Sequence, residues 1–172
     1  VRIMNDAQNL NWKLRPKARI MRTMGDELVS SEIVAIIELV KNSYDADATR
    51  VLIQFQGEVE VTERFGREYK KLVKEGSRIQ IIDNGHGMSL STLQTIWMQP
   101  ATASKRQNQH SRKGRRVLGE KGIGRFASSR LADELLVISR EEGASRETQV
   151  IFDWTQFEDE TKFLDEVEIL WA

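Results

Sequence analysis

The chain contains no cysteine, and that one absence removes disulfide scaffolds, thiolate metal sites and thiol nucleophiles together. It is compatible with a reducing cytoplasm, the compartment expected on this reading. Net charge is equally lacking: 26 Lys and Arg balance 26 Asp and Glu, so no global field draws the chain to nucleic acid or membrane, and any electrostatic preference must be local. Long apolar runs are missing too. The stretch 33–37 is far too short to cross a bilayer, and residues 1–14 are polar where a signal peptide would need an apolar stretch. Proline occurs twice, at Pro16 where a helix could begin and at Pro100 where one should stop. What is present describes an ordinary globular protein: 40% hydrophobic and 30% charged residues in a chain of 172, a length that suits one domain.

Residues 1–15 show no period and read as an N-terminal arm, with the domain proper over 16–172. A short helix is expected over 16–24. Ser30 or Ser31 could cap a second helix, in which Ile33, Ile36, Ile37, Val40 and Tyr44 recur at helical spacing. Val51, Ile53 and Phe55 alternate with mostly polar neighbours and predict a half-buried strand over 50–56. The charged stretch 58–76 is expected to be an excursion with a short helix at 67–74. Ile79, Ile81 and Ile82 predict a buried strand ending at Asp83 and a glycine-rich turn. A helix from Ser89 or Ser91 through Trp97 follows.

Residues 99–117 lack apolar periodicity and hold six bases and no acid: Lys105, Arg106, Arg112, Lys113, Arg115 and Arg116. Such a stretch, running on to Leu118, is expected to be a mobile lid that nucleotide orders; a nucleic-acid-binding patch is the alternative. A helix over 123–131 and strands over 134–140 and 147–154 come next. An acidic tail over 153–168 has seven acids against the single base Lys162, and a last strand is possible at 167–171. This order lacks the strand–helix alternation of a doubly wound sheet and predicts an α+β layer with helices on one face.

Three blocks could carry chemistry. Glu38, Asn42 and Asp45 are spaced i, i+4 and i+7, which puts them on one helix face. A carboxylate there can deprotonate water, and a carboxamide oxygen is a hard ligand for Mg²⁺; a solvated helix face would look the same. In the second block a buried strand delivers Asp83 to a turn containing Gly85, His86, Gly87 and Met88. Glycines allow a backbone to approach a planar ligand, and a carboxylate can accept from an exocyclic amine; a tight Asp-Asn-Gly turn is the plain alternative. His86 and His110 make only a weak metal argument. The third block, Gly119, Lys121, Gly122, Ile123, Gly124 and Arg125, opens an apolar helix whose free N–H groups could cradle an anion. It is neither a Walker A loop nor a Rossmann fingerprint, and a plain helix-initiating turn is its alternative.

Together and in this order the blocks resemble the GHKL superfamily of gyrase B subunits, heat-shock chaperone ATPases, histidine kinases and MutL-like proteins. The segment 42–49 and the run 101–105, which includes Lys105, look most similar to MutL-like and MORC-like members. The resemblance implies a two-layer α/β sandwich of Bergerat type with a mixed, mainly antiparallel sheet. It implies ATP as ligand, Glu38 as general base and Asn42 as Mg²⁺ ligand. Asp83 would hold the adenine amine, with Gly85, Gly87 and Met88 near the base, and Asp45, Lys105, Gly119, Lys121, Gly122, Ile123, Gly124 and Arg125 would complete the nucleotide site. Glu four residues before the metal-binding Asn resembles the hydrolysing members, which disfavours a histidine-kinase-like domain. A nucleotide switch without significant hydrolysis stays open. Members also carry a late Thr, often after Gly, that is missing after Val150, so truncation before the last strands is expected. Relatives of this kind dimerise on binding ATP and borrow a Lys from a following domain, which implies a nucleotide-dependent homodimer in a longer protein. A nucleic acid or protein client is possible, and a membrane is not expected.

Overall fold

A computed structural model of the protein describes residues 13–64, 66–73, 75–99, 109–119 and 124–172. Helix α1 (Ile20–Leu28) begins later than the 16–24 expected, because Pro16 and Lys17 run beside the chain's far end and a turn at Ala18 and Arg19 precedes the helix. Lys17 forms an antiparallel bridge with Phe163, the Ala18 amide donates to Lys162 O at 3.1 Å, and the Leu164 amide donates to Pro16 O at 3.0 Å. Those bonds require β-type backbone, so Pro16 does not start the helix. The same contact neutralises much of the acidic tail: Arg15 pairs with Asp165 and Glu166, Arg19 with Glu160, and Arg22 with Glu158. Each exposed pair contributes only about 0–1 kcal/mol, but together they explain where the tail's missing bases lie.

Helix α2 (Glu32–Asp45) starts where the Ser31 hydroxyl accepts from the Val34 amide at 3.3 Å, with Glu32 adding negative charge to the first turn. Strand β1 (Val51–Gln56) pairs antiparallel with β4 (Arg78–Asp83), in a register that sets Val51 opposite Asp83. Between them, β2 (Val59–Arg64) and β3 (Arg67–Leu72) form a hairpin, so the helix expected at 67–74 is a strand. Gly66 at φ +69° supplies the turn, and cross-strand pairs such as Glu60 with Lys71 and Val59 with Leu72 outweigh the helical propensity of Arg, Glu and Lys.

Helix α3 (Leu90–Thr92) is capped by the Ser89 hydroxyl at 3.1 Å from the Thr92 amide and runs on as a π-helical turn over Leu93–Trp97. After the segment 109–119, a 3-10 turn (Gly124–Ala127) leads into α4 (Ser128–Leu131), so the helix expected at 123–131 is split; Ile123 lies outside the described residues. Strands β5 (Glu134–Ser139), β6 (Thr148–Asp153) and β7 (Leu170–Trp171) form an antiparallel three-stranded sheet in that order. Helices with antiparallel ladders make an α+β domain, and every strand pair among the described residues is antiparallel. Among them no helix is long and apolar enough to cross a membrane.

The main core gathers Ala18, just before α1, Met21 from α1, Leu93, Phe126, and Val150, Phe152, Trp154 and Phe157 from β6 and the turn after it. Trp154 is 1% exposed. It stacks on Phe152 at 5.4 Å between centroids, leans on Phe157 at 5.3 Å and meets Phe126 edge-on at 6.2 Å. A smaller cluster of Val29, Ala35 and Ala127 joins α2 to the 3-10 turn before α4. Trp154→Ala should therefore cost about 3–5 kcal/mol of stability. Urea unfolding followed by circular dichroism checks this; a loss under about 1 kcal/mol would mean that another cluster carries the fold.

Candidate functional site

Chemistry can be built up from the end of α2. Its carbonyls must be satisfied, and the chain does this with a Schellman turn: the Asp47 amide donates to Tyr44 O at 3.0 Å and the Ala48 amide to Ser43 O at 3.1 Å. The turn needs a left-handed residue, and Asp47 takes it at φ +63°, an Asp where Gly is usual. The Ala46 carbonyl, facing outward from this turn, accepts from the His86 amide at 2.9 Å. Helix α2 is thereby fastened to the turn after β4.

That fastening brings the first two sequence blocks together. The buried Ser43 hydroxyl donates to Asp83 Oδ2 at 2.8 Å, and the Gly85 amide donates to Oδ1 at 2.8 Å. Both oxygens are thus oriented, yet an ionised carboxylate accepts about four bonds and keeps lone pairs for a ligand amine. Asn84 locks the same turn, its Oδ1 accepting from the Thr49 and Arg50 amides at 2.9 and 2.8 Å. A Cβ on Gly85 would lie 2.6 Å from Ala46 O, and one on Gly87, at φ +65°, only 1.9 Å from Arg140 O. The observed need for both glycines is close backbone approach to α2 and to the end of β5. The Met88 amide donates to Ser139 Oγ at 2.8 Å, while its half-buried side chain packs on the main core.

On the polar face of α2, Glu38 pairs with Lys41 at 2.6 Å and is about one-third exposed. Asn42 is half-buried one turn further on. Asp45, the third member of that face, reaches the last block: its Oδ1 accepts from the Leu118 amide at 2.8 Å and its Oδ2 from the Gly119 amide at 3.1 Å. Gly124 and Arg125 lie in the 3-10 turn leading to α4. Lys105, Lys121, Gly122 and Ile123 lie outside the described residues.

Residues 109–118 of the expected lid, 99–118, form a small hairpin held on α2. His110 bridges Arg116, and the Val117 amide donates to Gln109 O at 2.9 Å. Asp47, 2% exposed, accepts from Ser111 Oγ at 2.5 Å and the Lys113 amide at 3.0 Å, with Arg115 Nε at 3.9 Å. Arg115 also donates to Ala48 O at 2.6 Å and lies over the Tyr44 ring at 5.1 Å. Sequence reasoning had not singled out Ser43, Asn84, Asp47 or Ser111. The only available signal was an Asp placed just past a helix end.

Residues 29–169 match the family described as histidine kinase-, DNA gyrase B-, and HSP90-like ATPase, and the chain belongs to that family. Curated relatives include the chaperone protein HtpG of Rickettsia prowazekii (strain Madrid E), 31% identical over 135 residues, which cover 74% of this chain and 22% of the relative. HtpG of Rickettsia rickettsii (strain Sheila Smith) is 28% identical over 163 residues, covering 88% of this chain and 26% of the relative. The chain thus spans about a quarter of the length of these relatives.

Protonation tests the hairpin's attachment. The Ser111 hydroxyl foremost, then the Lys113 amide, Arg115 and His86, hold the Asp47 carboxyl below the usual carboxylate range, against burial that pushes it up. A carboxyl depressed in the folded state contributes stability that is complete above its unfolded pKa of about 3.9 and is lost as pH falls through the folded value. Amide resonances of Ser111, Lys113 and Arg115 should therefore hold steady near neutral pH and shift together only below about pH 4. An NMR titration in which they move between about pH 5 and 7 would show that another group governs the attachment.

Proposed function

We propose that residues 16–172 form a domain that binds ATP with Mg²⁺ and hydrolyses it, its ladders joining in a two-layer sandwich. The observation that carries the reading is that one helix is hydrogen-bonded to both other sequence blocks: Ser43 on α2 to Asp83 at 2.8 Å, and Asp45 on α2 to Gly119 at 3.1 Å. Residues 40 and 74 positions apart are so gathered around the Glu38, Asn42 face.

In this reading Asp83 accepts the adenine amine, with Gly85, Gly87 and Met88 forming the turn beside the base. Gly119 and Gly124, with Lys121, Gly122, Ile123 and Arg125, meet the phosphates, and Lys105 reaches them from the basic stretch. Among the described residues no three His, Asp or Glu side chains gather as a metal cage. One carboxamide, Asn42, suits a cation that takes its other ligands from phosphate and water, as Mg²⁺ commonly does. Bound there, the cation would offset phosphate charge. Glu38 orients the attacking water and accepts its proton. The whole protein, of which relatives four times as long are named chaperones, would use this cycle to close a dimer on a client; a MutL-like or MORC-like placement rests on the sequence of residues 42–49 and 101–105, the latter outside the described residues. A second reading, a nucleotide switch with little turnover, is favoured by the 2.6 Å ion pair that engages Glu38 with Lys41.

Glu38→Ala should leave ATP affinity largely intact and lower hydrolysis by about 10² to 10⁴-fold, measured by phosphate release; retained turnover removes Glu38 from the role of base. Asp83→Asn should weaken ATP binding by about 1.5–3 kcal/mol, the usual worth of a hydrogen bond to a charged group. Calorimetry giving equal affinity would put the adenine elsewhere.

A further inference from the structure

Helix α2 ends against the rule for helix charges. The C-terminal end of a helix dipole is negative and favours bases, but its last turn has none, and acids sit at Asp45 and, just beyond, Asp47. Their compensation comes from far along the chain. Asp45 takes two consecutive amides, Leu118 and Gly119, one on each oxygen, which fixes the orientation of that backbone as well as its position. Asp47 takes the Ser111 hydroxyl and the Lys113 amide from a buried, left-handed position. Arg115 adds a third anchor at Ala48 O. A local rule broken at two acids two positions apart, both of which accept from the same remote segment, is the mark of a constraint beyond helix stability.

We infer that Asp45 and Asp47 are positioning residues that set where the first amides of the glycine loop stand relative to Asn42, and so align the phosphate end of the nucleotide site. This rests on the ATP reading above. A phosphate group must meet the Asn42 side and the loop amides at once, and a misplacement of about 1 Å can cost about 10²-fold in rate. The end of α2, the helix carrying Glu38 and Asn42, and the turn just beyond it tie these two sides together among the described residues.

Asp45→Asn, Asp47→Asn and, from the loop side, Ser111→Ala test this. Affinities for ATP and for adenosine are measured on each, the latter by ligand-observed NMR, with amide exchange over 109–119 and the near-ultraviolet spectrum as a check on the core. The expected result is an ATP affinity about tenfold lower, the scale of one lost charge-assisted bond. Adenosine affinity should be unchanged, and exchange at Ser111, Lys113, Leu118 and Gly119 faster. Asp83→Asn, by contrast, should weaken both ligands. Equal losses for ATP and adenosine in the three variants would reduce the two acids to general structural support, and unchanged ATP affinity in all three would equally overturn the inference. A wild-type chain that binds neither ligand ends the ATP reading itself, and this inference with it.

Discussion

Ser43 and Asp83 share a hydrogen bond of 2.8 Å across 40 residues of sequence, and the placement of every other element of the site follows from it. The donor is buried on α2, and the acceptor ends a strand paired residue by residue with β1. Neither can shift without leaving a polar group unsatisfied, at a cost of about 1–3 kcal/mol. The bond therefore sets the height of α2 on the β1–β4 ladder. The Ala46 carbonyl on the His86 amide, at 2.9 Å, then holds the helix end in rotation.

From that fixed helix end the rest of the site is suspended in two directions. One runs through Gly85 and Gly87, whose missing side chains let the turn after β4 lie against Ala46 and Arg140. Glu142 continues it, its amide donating to His86 O at 2.8 Å, so the turn is sandwiched between α2 and the end of β5. The other direction runs through Asp45 and Asp47 to the hairpin 109–117 and on to Gly119. The aromatic core around Trp154 draws on α1 and β6, and Met88 of the turn after β4 packs against it.

Much of this was legible in the sequence where a single period governs the segment. The helical spacing of Ile33, Ile36, Ile37 and Val40 announced α2, and the alternation of Val51, Ile53 and Phe55 announced β1, although Ile33, Ile37 and Phe55 are themselves exposed. The family was legible because its three blocks are local in sequence. The hairpin β2–β3 was not: Arg67, Glu68, Lys70 and Lys71 are exposed on both faces, so no burial period marks them, and strand pairing overrides their helical preference. The late start of α1 was hidden for a similar reason, since the partner of Lys17 is Phe163, almost the whole chain away. Within the site, the residues named from the sequence were those whose chemistry a nucleotide would use. The residues that hold them, Ser43, Asn84, Asp47 and Ser111, act through contacts between distant segments and carry no local signature beyond an Asp at a helix end.

The central claim, that α2 gathers the three blocks into one nucleotide site, is tested most directly by a crystal structure with Mg²⁺ and a non-hydrolysable ATP analogue. The account predicts the adenine amine on the Asp83 carboxylate with Ser43 still bonded to it, the Asn42 oxygen at the metal, and Asp45 still on the Leu118 and Gly119 amides. A nucleotide bound away from Asp83, or phosphates lying on a face remote from Asn42, would contradict it.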